Sequence, residues 1–172
     1  MIVEINTIDE FQELCAQFFD KNHNKFWQSR SSKVIGVYDL NSISAFIQNF
    51  FYENLTNPTK ALPYLKIWAN IEKLNYTCVG VFIATRCRMT NQKVFEDLIW
   101  QGKGKLATKL IEKKNLINIL NRAEFFAKEN CFDSFRLTRD MERHHTGDPK
   151  FKNFYTNSGF SPSVITYVKK LN

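Results

Sequence analysis

The chain has 172 residues, 44% of them hydrophobic and 24% charged, the balance of a folded protein rather than a disordered one. A formal net charge of +7 turns it towards anionic partners: phosphates, nucleic acid, acidic protein or a CoA-type molecule. No run approaches the roughly 18 apolar residues a membrane span needs and no apolar leader is visible, so a cytoplasmic protein without a membrane partner is expected.

The elements follow in chain order. Ile2 to Ile5 alternate as a short strand. Thr7 is placed as an N-cap, with Glu10 three residues on in capping-box spacing, and Phe11, Leu14, Cys15, Phe18 and Phe19 recur at helical intervals. A polar stretch, Asp20 to Lys33, precedes a possible short strand at Val34–Tyr38. Asp39 or Asn41 can cap a second helix carrying Ile43, Phe46, Ile47, Phe50 and Phe51. The pattern then changes to strands. Tyr64–Glu72, Tyr76–Arg88 and Lys93–Trp100 read as consecutive antiparallel strands, joined by turns at Lys73–Asn75 and Thr90–Gln92.

A basic stretch, Gln101 to Asn115, follows, and Leu116–Lys128 places Leu116, Ile119, Leu120, Ala123, Phe126 and Ala127 on one helix face. Ser134–Thr138 reads as a strand, Arg139–Asp148 as a polar loop, Pro149–Ser158 as a helix ended by the C′ glycine Gly159, and Ser163–Lys170 as a last strand. With no linker in view, residues 1–172 read as one domain of order β, α, α, β, β, β, α, β, α, β: an α/β fold with a mixed sheet and helices on both faces. Cys15, Cys78, Cys87 and Cys131 form no CxxC pair, and the adjacent His144 and His145 in the polar loop point apart, so no metal site is expected.

Several segments carry a resemblance. Ala69-Asn70-Ile71-Glu72 followed by Val79-Gly80-Val81-Phe82, then Asp97-Leu98-Ile99-Trp100, Ala123-Glu124-Phe125-Phe126-Ala127-Lys128 and Phe154-Tyr155-Thr156-Asn157-Ser158-Gly159-Phe160 with Tyr167-Val168-Lys169-Lys170-Leu171 stand in the order found in the GNAT N-acetyltransferases. The Asp97–Trp100 segment resembles the small acetyltransferases common in phages, which would place the protein in a host cytoplasm. The resemblance covers about Tyr64 onward. It implies a mostly antiparallel twisted sheet flanked by helices, and acetyl-CoA as co-substrate in a gap where the fourth and fifth strands splay apart.

Within that resemblance, Leu98, Ile99 and Trp100 would hold the pantetheine arm through their backbone, and Asn153 the cofactor's amides. The family's pyrophosphate loop, rich in glycine so that backbone N–H groups reach the phosphates, is matched only in part by Gln101-Gly102-Lys103-Gly104-Lys105. Leu106 stands where a small residue is required. Two placements stay open. In one, Gln101–Lys105 is the loop and the helix is long or broken near Lys113-Lys114-Asn115. In the other, the glycine-free stretch Lys109–Asn118 is the loop. Tyr155 matches the family's acid, and Asp97 or Glu96 would be the base that takes the proton of a primary amine acceptor. Two other readings use the same fold: a non-catalytic binding protein that takes nucleic acid or an acidic protein on Lys103–Lys114, and a phage-type enzyme that modifies DNA bases.

Overall fold

A computed structural model describes residues 1–18, 40–56, 64–102, 109–137 and 156–160. Among them the elements run β1 (Ile2–Glu4), α1 (Ile8–Phe18), α2 (Leu40–Thr56), β2 (Tyr64–Glu72), β3 (Asn75–Arg86), β4 (Lys93–Gly102), α3 (Lys109–Glu129) and β5 (Ser134–Arg136). The strands make one five-stranded sheet in the order β1-β2-β3-β4-β5. Neighbours from β1 to β4 are antiparallel, and β5 joins β4 in parallel. Parallel neighbours need a long crossover, which the chain through α3 supplies.

Alternation along the strands loads both faces of the sheet. Leu65, Ile67, Ala69, Val79 and Val81 meet Phe11 and Leu14 of α1 and Ile47 and Phe51 of α2. Phe11 and Phe51 stack at 4.6 Å, which ties the helices to each other as well as to the sheet. On the opposite face Trp68, Phe82, Ala84 and Phe95 pack under Ile119, Ala123 and Ala127 of α3. There Phe95 lies 5.5 Å from Phe82, 5.2 Å from Phe126 and 5.9 Å from Phe135, so one ring touches β3, α3 and β5.

Two local devices hold these layers. The capping box of α1 is made: Glu10 N–H donates to Thr7 Oγ1 at 3.3 Å, and Thr7 N–H donates back to Glu10 Oε2 at 3.0 Å. Asn6 N–H donates to the same carboxylate at 2.9 Å, and this bond is the main cause that holds the Glu10 carboxyl below its ordinary pKa; burial opposes it, and the two Thr7 bonds add to the lowering. The second device is Gly80. A Cβ built there would meet Ile119 Cγ2 and Phe82 Cε2, each at 2.6 Å, so the bare backbone is what lets α3 settle on β3.

The strand boundaries shift in places. β3 begins at Asn75, so the turn is Lys73–Leu74, both at positive φ (48° and 65°), as a tight two-residue hairpin requires. β3 stops at Arg86, because Cys87 N–H donates to Gln92 O and Asn91 N–H to Cys87 O, each at 2.8 Å, closing the turn earlier than Arg88. Asn41 lies inside α2 rather than at its cap. Gly159, at φ 81°, closes the helical turn at Thr156–Asn157 by donating to Thr156 O at 3.0 Å. The expected strands at 34–38 and 163–170, the polar loop at 139–148 and the start of the last helix lie outside the described residues.

Candidate active site

The site grows from β4. Along β3 its register runs Thr85↔Val94, Ala84↔Phe95, Ile83↔Glu96 and Phe82↔Asp97, then jumps to Val81↔Ile99. Leu98 therefore has no β3 partner: it is the extra residue of a β-bulge, and it is 39% exposed although it sits in mid-strand. On its other edge, among the described residues, β4 pairs with β5 at Val94↔Ser134, Phe95↔Phe135 and Glu96↔Arg136. Among the described residues, β4 from Asp97 to Gly102 is paired with β3 alone.

Bulge and parting coincide. Directly after Glu96, the last residue of β4 with a β5 partner among the described residues, the strand gains a residue. A bulge bends the strand and increases its twist, which turns the following backbone away from the neighbour it had. This point lies at the carboxyl ends of two parallel strands, the position at which open α/β sheets bind ligands. Backbone N–H and C=O groups on an unpaired edge must bond elsewhere, and an extended ligand offers the same geometry as a strand.

The two carboxylates straddle the sheet. Glu96 stands opposite Ile83 and is half-buried on the side of α1 and α2. Asp97 stands opposite Phe82, whose ring belongs to the layer under α3, and is only 8% exposed. Alternation is why adjacent acids separate this way. Of the backbone expected to hold a cofactor, Leu98, Ile99 and Trp100 lie in the departing part of β4.

Gln101 and Gly102 correct an expectation: they are the last residues of β4, paired with Val79 and Cys78, and not the first of a loop. The strand ladder outlasts the apolar run that marked its end. The helix also begins earlier than Leu116. α3 is continuous over 21 residues from Lys109, so the placement of a phosphate loop at Lys109–Asn118 is excluded, as is a break near Lys113-Lys114-Asn115. The connection between β4 and α3 is thereby confined to residues 103–108, leading into a helix N-terminus with its partial positive charge. Lys103, Gly104, Lys105, Asn153 and Tyr155 lie outside the described residues.

The bulge is the feature that sequence reading missed. Its one trace is the break of alternation at Asp97-Leu98-Ile99-Trp100, where two apolar residues follow Leu98 directly.

No protein-family model matches the chain, and no curated protein matches it in sequence. Solved structures do. A predicted acetyltransferase of Clostridium acetobutylicum with acetyl-CoA superimposes with a TM-score of 0.56 at 14% identity, over 100% of this chain and 96% of the other. An aminoglycoside acetyltransferase from an uncultured soil metagenomic sample, in complex with sisomicin, gives 0.56 at 12% identity over 100% and 96%. A GNAT family acetyltransferase of Staphylococcus aureus gives 0.55 at 12% identity over 99% and 98%. The described sheet and its flanking helices have the GNAT acetyltransferase fold.

Proposed function

We propose that this protein is an N-acetyltransferase that moves an acetyl group from acetyl-CoA to a primary amine. The observation that carries the reading is the bulge at Leu98 at the point where β4 leaves β5. In this reading the backbone of Leu98, Ile99 and Trp100 takes the pantetheine arm as a neighbouring strand would be taken. The pyrophosphate lies over residues 103–108, where Lys103, Gly104 and Lys105 lead into the N-terminus of α3. Lys109, Lys113 and Lys114 fall in the first two turns of α3, the end at which the helix itself carries positive charge and favours an anion. The acetyl-CoA bound in the clostridial neighbour supports the same choice of co-substrate.

The reaction asks for a proton acceptor, a proton donor and a held thioester. Glu96 is the acceptor in this reading: it is the more exposed of the two acids, whereas Asp97 is closed in on the aromatic side of the sheet. Glu96 takes one ammonium proton and releases it to solvent, the amine nitrogen attacks the thioester carbon, and the carbon–sulfur bond breaks. Tyr155 gives its proton to the departing thiolate and regains one from the second proton that the nitrogen sheds as it becomes an amide. Asp97 lies behind β4 and positions the bulge.

Thermal melting with and without acetyl-CoA tests the first half. A ligand at a hundred times its dissociation constant adds roughly 2.7 kcal/mol of stability, so millimolar acetyl-CoA should raise the melting temperature; an unchanged melt overturns the reading. Release of free CoA thiol in the presence of a panel of amines tests the second half, with Glu96→Gln and Tyr155→Phe expected to slow turnover while keeping the acetyl-CoA shift.

A further inference from the structure

Gly102 closes β4, and the register carries its row across the sheet. Gly102 stands opposite Cys78, and Cys78 stands opposite Asn70. The chain therefore leaves β4 on the same row as a buried asparagine of β2. Asn70 is 3% exposed, and a buried polar group needs its hydrogen bonds within the protein. Its Nδ2 donates to Thr77 Oγ1 at 2.8 Å and to Glu72 Oε1 at 3.1 Å. An amide nitrogen has two hydrogens to give, and both are placed here.

The string of bonds continues into α3. Asn115 Nδ2 donates to the same Glu72 oxygen at 2.7 Å. Thr77, Asn70, Glu72 and Asn115 thus join β3, β2 and α3 at the end of the sheet where β4 runs out. A carboxylate only accepts and an amide nitrogen only donates, so the direction of each bond to Glu72 is fixed. Bonds to a charged acceptor are also the stronger kind.

Apolar contact and hydrogen bonding do different work on this helix. Ile119, Ala123 and Ala127 bury α3 against the sheet, and that attraction has no direction. The bond at Asn115 is directional. It falls four residues before Ile119 on the same helix face, between the apolar seat and the helix start. Lys109, where α3 begins, lies six residues further back, about 9 Å along the axis. A tilt at Asn115 is carried to that end of the helix.

We infer that Glu72 and Asn115 are positioning residues for acetyl-CoA: their hydrogen bond sets where the N-terminal end of α3 stands relative to the exit of β4, and with it the phosphate half of the site. The inference rests on the acetyl-CoA reading above. Phosphorus-31 resonance of acetyl-CoA tests it, because it follows the pyrophosphate itself. Wild type should shift the pyrophosphate signals on binding. Asn115→Ala and Glu72→Ala should each weaken acetyl-CoA by about fivefold, the worth of one such bond, and at saturation should shift those signals less than wild type does. Alanine is a better helix former than asparagine, so a loss at position 115 is not a loss of helix. Glu72→Gln keeps an acceptor in place while removing the charge, and should stay close to wild type in both readouts. Alanine variants that match wild type, tighter binding in Glu72→Ala, or a Glu72→Gln as impaired as Glu72→Ala would each overturn the assignment while the acetyl-CoA reading stands. A wild type that leaves the phosphorus signals still overturns both.

Discussion

The β2–β3 ladder and the β4–β5 pair belong to one sheet and are built to opposite ends. β2 and β3 are joined from Tyr64↔Ala84 to Glu72↔Asn75, whereas β4 and β5 share only the stretch from Val94↔Ser134 to Glu96↔Arg136. The closed pair satisfies its backbone within the chain. Among the described residues the short one ends where β4 bulges. Under the proposed function, binding capacity in this sheet comes from that end of β4, and the core around the β2–β3 ladder supports it.

Breaking Phe95 should hurt most, because its ring lies against both halves. Phe95→Ala is expected to cost about 3–5 kcal/mol in urea unfolding and to weaken acetyl-CoA binding as well. Gly80→Ala strikes the seat of α3 on β3. Its new methyl collides with Ile119 and Phe82, each at 2.6 Å, for an expected loss of about 1–3 kcal/mol; adding Ile119→Ala should recover part of the clash.

Thr7→Ala removes the cap of α1, remote from the opening, and should cost about 1 kcal/mol. The same cap carries a pH signature. Glu10 titrates below its ordinary value of 4.5 in the folded chain, so its contribution is present above that value and lost as pH falls through the lower folded one. Melting curves of wild type and Glu10→Gln should converge at the acidic end. Glu96→Gln should shift stability least, within about 0.5 kcal/mol, while reducing turnover most. A large stability loss in that variant would mean the open half is structural after all.

Legibility in the sequence divides along the same line. The hairpin of β2 and β3 announces itself by apolar runs around Lys73-Leu74, and the helix faces of Phe11, Leu14, Ile119 and Ala123 by their spacing. These features are local, so periodicity reports them. The end of β4 is not local. Gln101 and Gly102 look like a loop by composition and are strand only because Val79 and Cys78 lie beside them. The early start of α3 is hidden similarly: from Lys109 to Asn115 the apolar Leu110 and Ile111 are adjacent and the rest is charged or polar, so no helical period shows within the segment. As for the site, adjacency of Glu96 and Asp97 was readable, and so was their separation by alternation. Which of them faces which layer needed the partner strand.

The surplus residue of β4 has a further meaning. Were Leu98 absent, Asp97 would be followed by the residue that already lies opposite Val81, and the rest of the ladder, through Gly102 opposite Cys78, would keep its present partners. A strand one residue shorter would therefore satisfy β3 fully. Leu98 is surplus to the β3–β4 ladder, so deleting it tests the bulge apart from the pairing on either side of it.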